Sequence, residues 1–182
     1  MTENDSLDFE KQIAGLADRI QIAARHMLSA RQYTMTLLED LQPQDWFWTP
    51  SPAVSHIAWQ VGHLAFAQYG LMLFRQRGRV TDDLQLMTGK FRKTFGKGTT
   101  PKVGQDAYPP IEEILQSFHE VHEQSFRELP SFPDDELDEP IDRPWSAYAT
   151  RYGALLFAGD HEMLHAGQIG MLRRLMGKDP IR

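Results

Sequence analysis

The stretch Asp160-His161-Glu162-Met163-Leu164-His165-Ala166-Gly167-Gln168-Ile169-Gly170-Met171-Leu172-Arg173-Arg174-Leu175 decides how this chain is read. Its apolar residues recur at helical spacing, and His161 and His165 stand four apart, one turn above the other on one face. That face takes in Gln168, Ile169 and Leu172, so it is expected to point inward. Two imidazoles on a buried stripe need polar partners, because an unpaired polar group costs free energy away from water. Coordination of one metal ion supplies them. The same residues spell HExxH, the zinc-protease helix. Such enzymes take their third ligand from downstream, and the 17 residues after His165 contain neither His nor Glu. A protease is therefore not expected, and a third ligand has to come from earlier in the chain.

Working outward, the helix that carries this stretch is expected to run from about Ser146 to Met176, where Gly177 supplies an end signal. Three more long helical segments precede it. The first spans about Asp8 to Leu41, with Ile13, Leu16, Ile20, Ala23, Ala24, Met27 and Leu28 in phase and Pro43 beyond its end. The second spans about Val54 to Arg75, capped by Ser51 or Ser55, and is apolar around much of its circumference, as a buried helix is. The third runs from Pro110 to about Leu129. Between the second and third lies a long connection, 78–110, with the basic, Gly-rich run GKFRKTFGKGTTPK at 89–102. That run could bind an anion, but a solvated loop is the expectation. An acidic, Pro-rich loop, PSFPDDELDEPIDRP, precedes the last helix. No strand pattern, repeat or linker is visible. The expectation is a single domain over 1–182, all-α, a four-helix bundle with a long connection between helices 2 and 3.

Totals narrow the function. The chain has 182 residues, 41% hydrophobic and 24% charged, with a formal net charge of −6. That balance gives no general attraction for nucleic-acid phosphates, so no nucleic-acid partner is expected. No apolar run is long enough to span a membrane, and the polar N-terminus does not resemble a signal peptide, so no membrane partner and a cytoplasmic location are expected. With no cysteine, thiolate ligands, disulfides and a cysteine nucleophile are excluded.

Among the other histidines, His63 is the best third ligand: it sits in AWQVGHLAF on the most buried helix, with Gly62 beside it and Trp59 and Phe66 a turn away. His119 and His122, three apart and flanked by Glu120 and Glu123, form a rival pair that reads as a solvated polar face. His56 is expected near a helix start. Gln168 reads equally as a support for the ligands or a packing residue. Glu162 is expected in a surface ion pair with a helix neighbour rather than as a base. Gln60 and Tyr152 are expected in the core, each with a hydrogen-bonded tip. Gly153, Gly159, Gly167 and Gly170 would permit close helix packing, within the bundle or across a dimer.

A Gly-His-Leu on the second helix followed by His-x-x-x-His-x-Gly-Gln late in the last one, with Arg173-Arg174 after it, resembles the DinB-like superfamily. The likeness covers nearly the whole chain. SPAVSHIAWQVGHLAF is also similar to the iron-binding helical domain of ergothioneine sulfoxide synthases. Those enzymes carry a second, sulfatase-like domain that these 182 residues lack, so their full reaction is not expected. The resemblance implies a four-helix bundle whose His63, His161 and His165 hold one divalent metal (zinc, nickel or iron). It also implies a homodimer, and relatives that are transferases or isomerases using small thiols such as bacillithiol, mycothiol or glutathione. Three imidazoles leave coordination positions open, which suits catalysis better than structure. The function expected is thus a metal-dependent enzyme acting on a small molecule, a thiol-dependent S-transferase or isomerase. The alternative is a noncatalytic metal- or small-ligand-binding bundle.

Overall fold

Along the last helix, the residues that face inward are Gly153, Ala154, Leu155, Ala158, Gly159, Glu162, His165, Ala166, Ile169, Leu172 and Arg173. Among these eleven are a carboxylate, Glu162, and a guanidinium, Arg173, and that sets the architecture. A computed structural model describes residues 3–142 and 149–181. Its helices are α1 (Glu3–Ile13), α2 (Asp18–Leu38), α3 (Ile57–Gln68), α4 (Asp83–Leu86), α5 (Gly89–Phe95), α6 (Ile111–Glu128) and α7 (Arg151–Leu175). Among the described residues there is no strand, only an isolated bridge between Pro140 and Thr150. The long helices α2, α3, α6 and α7 pack side by side as a bundle, α2 chiefly against α7 and α3 against both α6 and α7.

Local chemistry moves several boundaries. The expected first helix is broken: α1 ends at Ile13 and α2 starts at Asp18, with Gly15 in the turn between. The break follows from the high helical cost of Gly and the good first-turn placement of an aspartate. Neither Ser51 nor Ser55 caps α3. His56 does, its Nδ1 accepting from the Trp59 backbone N–H at 3.1 Å. Beyond Gln68 the helix continues through a π-helical stretch, Tyr69–Phe74, into Arg75–Arg77. Side chains take carbonyls of this wider turn: Arg75 donates to Gly70 at 2.8 Å and Gln76 to Leu71 at 3.0 Å. The expected start of the last helix at Ser146 lies outside the described residues; α7 begins at Arg151, with the Thr150 hydroxyl accepting from the Gly153 N–H at 3.1 Å. Its end is as expected, with Gly177 at φ 83°.

The long connection is not the solvated loop that its basic, Gly-rich composition suggested. GKFRKTF is helix α5, capped by the Thr88 hydroxyl, and both Phe91 and Phe95 are buried. Two phenylalanines four apart make one apolar stripe, and burying them drives the segment onto α3.

The apolar core forms two clusters, one around Val61, Leu64, Phe95, Phe118 and Ile169, the other around Met27, Leu71, Phe126 and Leu155. Along each long helix a polar residue falls between them: Arg31 on α2, Gln68 on α3, His122 on α6 and Glu162 on α7. The four form one network. Arg31 donates to both Glu162 oxygens, from Nε at 2.7 Å and Nη2 at 3.0 Å. It also donates to the Phe118 carbonyl at 2.8 Å and Gln68 Oε1 at 2.8 Å, and its guanidinium lies 3.4 Å from the Phe118 ring centroid. Gln68 Nε2 then donates to His122 Nδ1 at 3.1 Å. One arginine thus touches all four long helices. With both side chains 1% exposed, the pair is tolerated only because its charge and hydrogen-bonding capacity are met locally.

Two expectations are corrected here. Glu162 is not in a surface ion pair with a helix neighbour; its partner is Arg31, on another helix and in the centre of the bundle. His122 is not on a solvated face but buried, and burial followed by the nearby Arg31 charge holds its imidazole well below the usual histidine range.

Candidate metal centre

α3 brings His63, and α7 brings His161 and His165 one turn apart. The packing of α3 against α7 closes the three rings into a triangle. Centroids are 5.3 Å apart for His63 and His161, 5.0 Å for His63 and His165, and 4.6 Å for His161 and His165. One ring nitrogen from each lies within 4.8 Å of the others. His63 and His165 are buried, and His161 is half-buried.

The hydrogen bonds decide which nitrogens point where. His63 Nδ1 lies 2.7 Å from the Phe95 carbonyl. A carbonyl can only accept, so Nδ1 carries the proton and the Nε2 lone pair is free. His165 Nδ1 is held in the same way by the side-chain oxygen of Gln60. Gln60 is itself fixed, its Nε2 donating to Gln168 Oε1 at 2.8 Å and to the Ser55 hydroxyl. Metal-binding imidazoles are commonly held by just such an acceptor on the far nitrogen. All three rings are disposed to stay neutral. Burial, then the neighbouring imidazoles, pushes His161 down to about 4 and His165 to about 3, and burial lowers His63 despite the Phe95 carbonyl.

The surroundings are aromatic. Trp59 stacks on His63 at 4.8 Å with the planes 6° apart, and Phe157 lies 5.7 Å from His161. Gly62 makes the arrangement possible. A Cβ there would sit 2.5 Å from the Phe95 ring, so only glycine lets α5 approach closely enough for Phe95 to offer its carbonyl to His63.

The donor set fits a divalent metal. Three neutral imidazoles are borderline-soft ligands for zinc, nickel or iron. Metal–nitrogen bonds of about 2.1 Å put tetrahedral ligand pairs roughly 3.4 Å apart, so modest ring movement would close these nitrogens onto one ion. Among the described residues no carboxylate joins the group.

The other singled-out residues fall into place around it. Gln60 and Gln168 support His165, although Gln168 is exposed rather than packed inside. His56 caps α3, with Nε2 3.2 Å from the Lys102 carbonyl. Tyr152 stands apart, packed in the second core cluster under the Arg19 guanidinium at 4.5 Å. Both oxygens of Glu162 are taken up by Arg31, so it is not a free base. Of the glycines, Gly159 serves close packing inside the bundle, where a Cβ would meet the His26 ring at 2.4 Å, whereas Gly167 has nothing within 4 Å. Sequence reasoning missed Arg31, Gln68 and the Phe95 carbonyl. Arg31 carried a signal: it stands three and four residues beyond Leu28 and Met27 on the inward stripe of α2, where an arginine calls for a buried acid.

Fold and site together define a class of all-helical proteins that present three imidazoles from the middles of two bundle helices. The chain belongs to the DinB superfamily, whose family model matches residues 26–169, a span that contains all three histidines. No curated protein matches the chain. The fold is similar to the crystal structure of a conserved protein from Enterococcus faecalis, with a TM-score of 0.59 and 20% identity over 87% of this chain and 97% of that one. Among the described residues, no helix is long and apolar enough to cross a membrane.

Proposed function

We propose that the protein binds one divalent metal (zinc, nickel or iron) through His63, His161 and His165, and uses it for thiol-dependent transfer or isomerisation of a small molecule. The observation that carries this reading is the pair of fixed tautomers. Phe95 and Gln60 occupy the Nδ1 atoms of His63 and His165, which leaves Nε2 lone pairs available to an ion. A set of three ligands leaves positions for substrate, unlike the four ligands of a structural zinc site.

When bound, such an ion supplies Lewis acidity that lowers the pKa of a thiol. The chain has no cysteine, so the thiol comes from a cosubstrate. In a transfer, its sulfur forms a bond to the electrophilic carbon, the leaving group departs with the bonding pair, and the thiol proton passes to solvent. The protein's own residues hold the imidazoles neutral and oriented, and Trp59, Phe66 and Phe157 provide apolar walls near them. A homodimer is part of the proposal, supported by Leu164, Met171 and Leu175, which lie on one stripe of α7 and are 60%, 57% and 55% exposed.

Elemental analysis of tag-free protein, before and after reconstitution with zinc, nickel and iron, tests the metal. About one equivalent in wild type, lost in His63→Ala and His161→Ala, is expected. No metal under any condition removes the proposal. Turnover of small thiols with electrophiles by the loaded protein then tests the reaction. A loaded protein that accelerates none of them leaves metal binding standing and removes catalysis.

A further inference from the structure

The bundle and the histidines use the phenylalanines of the basic connection but leave its lysines without a role. From Leu84 to Gln105 the sequence carries Lys90, Arg92, Lys93, Lys97 and Lys102 and no carboxylate, within a chain of net charge −6. Two anchors give this segment a fixed shape. Buried Phe91 and Phe95 fasten α5 to the core, which turns Lys90, Lys93 and Thr94 outward on its opposite face. The returning chain is pinned at Lys102. Its N–H donates to the Tyr108 hydroxyl at 2.6 Å, and its carbonyl accepts from His56 Nε2 at 3.2 Å. His56 is 1% exposed, so this part of the surface is tied directly to the core.

Between the two anchored pieces lies a cavity of about 380 Å³, lined by Lys90, Lys93, Thr94, Thr100, Lys102 and Tyr108 among others, with no carboxylate in its wall. A volume of that size suits a small molecule. None of its three lysines is ion-paired among the described residues, whereas Lys11 pairs with Asp8 and Lys178 with Asp45. Three ammonium groups around one concavity repel each other, and a multiply charged anion between them relieves that repulsion. The Tyr108 oxygen accepts from Lys102, so its own proton is left to donate.

We propose that this cavity is an anion site that takes a small molecule bearing two or more phosphate or carboxylate charges. It stands independently of the metal and is tested on the metal-free full chain. Pyrophosphate and citrate are titrated calorimetrically at low ionic strength, where screening is weak. At least one of them is expected to bind saturably at one per chain. The double substitution Lys90→Gln with Lys93→Gln is expected to weaken that binding at least tenfold. Lys11→Gln with Arg174→Gln removes the same charge elsewhere and is expected to change it less than twofold. All four side chains are exposed, and circular dichroism is used to check that both variants are folded. Absence of saturable binding of either anion to wild type overturns the proposal. So does an equal loss in the two double variants, which would mean general charge attraction.

Discussion

Gln60→Leu is the most informative single substitution. Gln60 is 1% exposed, and its oxygen takes the Nδ1 proton of His165. Leucine nearly preserves the volume, so packing changes little; what is lost is the acceptor for His165 and the amide donor to Gln168 and Ser55. Without it the His165 N–H is buried and unmet, at a cost of about 1–3 kcal/mol, and the ring is free to turn or change tautomer. Loss of such an outer support lowers metal affinity about 10–100-fold, or about 1.4–2.7 kcal/mol. Competition with a chromophoric chelator for zinc, at constant pH, reads the affinity, and thermal unfolding of the metal-free protein reads stability. Gln60→Glu keeps an acceptor at the same place and is expected to retain affinity within about threefold. If the leucine variant binds zinc as tightly as wild type while only its stability falls, Gln60 is a packing residue and does not orient His165.

Other expectations follow from the same geometry. Arg31→Met leaves Glu162 charged and alone in the bundle centre and should cost about 3–5 kcal/mol in urea unfolding; adding Glu162→Leu should recover all of it, and a double variant no more stable than Arg31→Met would contradict that account. Gly159→Ala brings a methyl against the His26 ring, and should cost about 1–3 kcal/mol, or less if His26 swings away and gives up its 2.8 Å contact with Asp160. A calorimetric midpoint equal to wild type would show that α2 and α7 are not in close contact there. Burial pushes Asp83 up, but hydrogen bonds from Arg77, the Val80 N–H and Tyr69 outweigh it and bring the carboxyl down to about 2. A folded value below the unfolded 3.8 means that this stabilisation is present above about pH 4 and is lost as pH falls through about 2. It amounts to on the order of 2 kcal/mol, so Asp83→Asn should flatten the acid limb of the stability curve; an unchanged slope would count against the network.

What was legible in the sequence, and what was not, follows from the kind of signal each feature leaves. The three histidines were readable because His161 and His165 share a face and His63 interrupts an apolar helix where a polar ring needs a reason. The helix order was readable from apolar periodicity. The π-helical stretch after Gln68 was not, since Tyr69–Phe74 belongs to a helix apolar almost all round, and without a polar face there is no phase to be seen slipping. Helix α5 was hidden because seven residues offer only the pair Phe91 and Phe95, set among lysines and glycines that read as loop. His56 displaced two serines as the cap because its ring reaches the Trp59 N–H while Ser55 is engaged by Gln60, whose other partners, Gln168 and His165, lie on α7 and are distant in sequence.

The buried charge pair and two of the three clustered histidines meet on one turn of α7, and this explains why a costly ion pair sits beside the site. Glu162 follows His161 directly and precedes His165 by three residues, so the direction of its side chain fixes the rotation of α7 about its own axis. Arg31 holds that direction with two hydrogen bonds and ties it to α3 through Gln68, one and a half turns along from His63. The network therefore sets the register between the two helices that must bring three imidazoles together. A methionine and a leucine in place of Arg31 and Glu162 would fill the space without dictating the angle. The double variant Arg31→Met with Glu162→Leu should accordingly unfold no more easily than wild type and still bind zinc more weakly, because stability needs only a filled centre whereas the ligands need an aimed one.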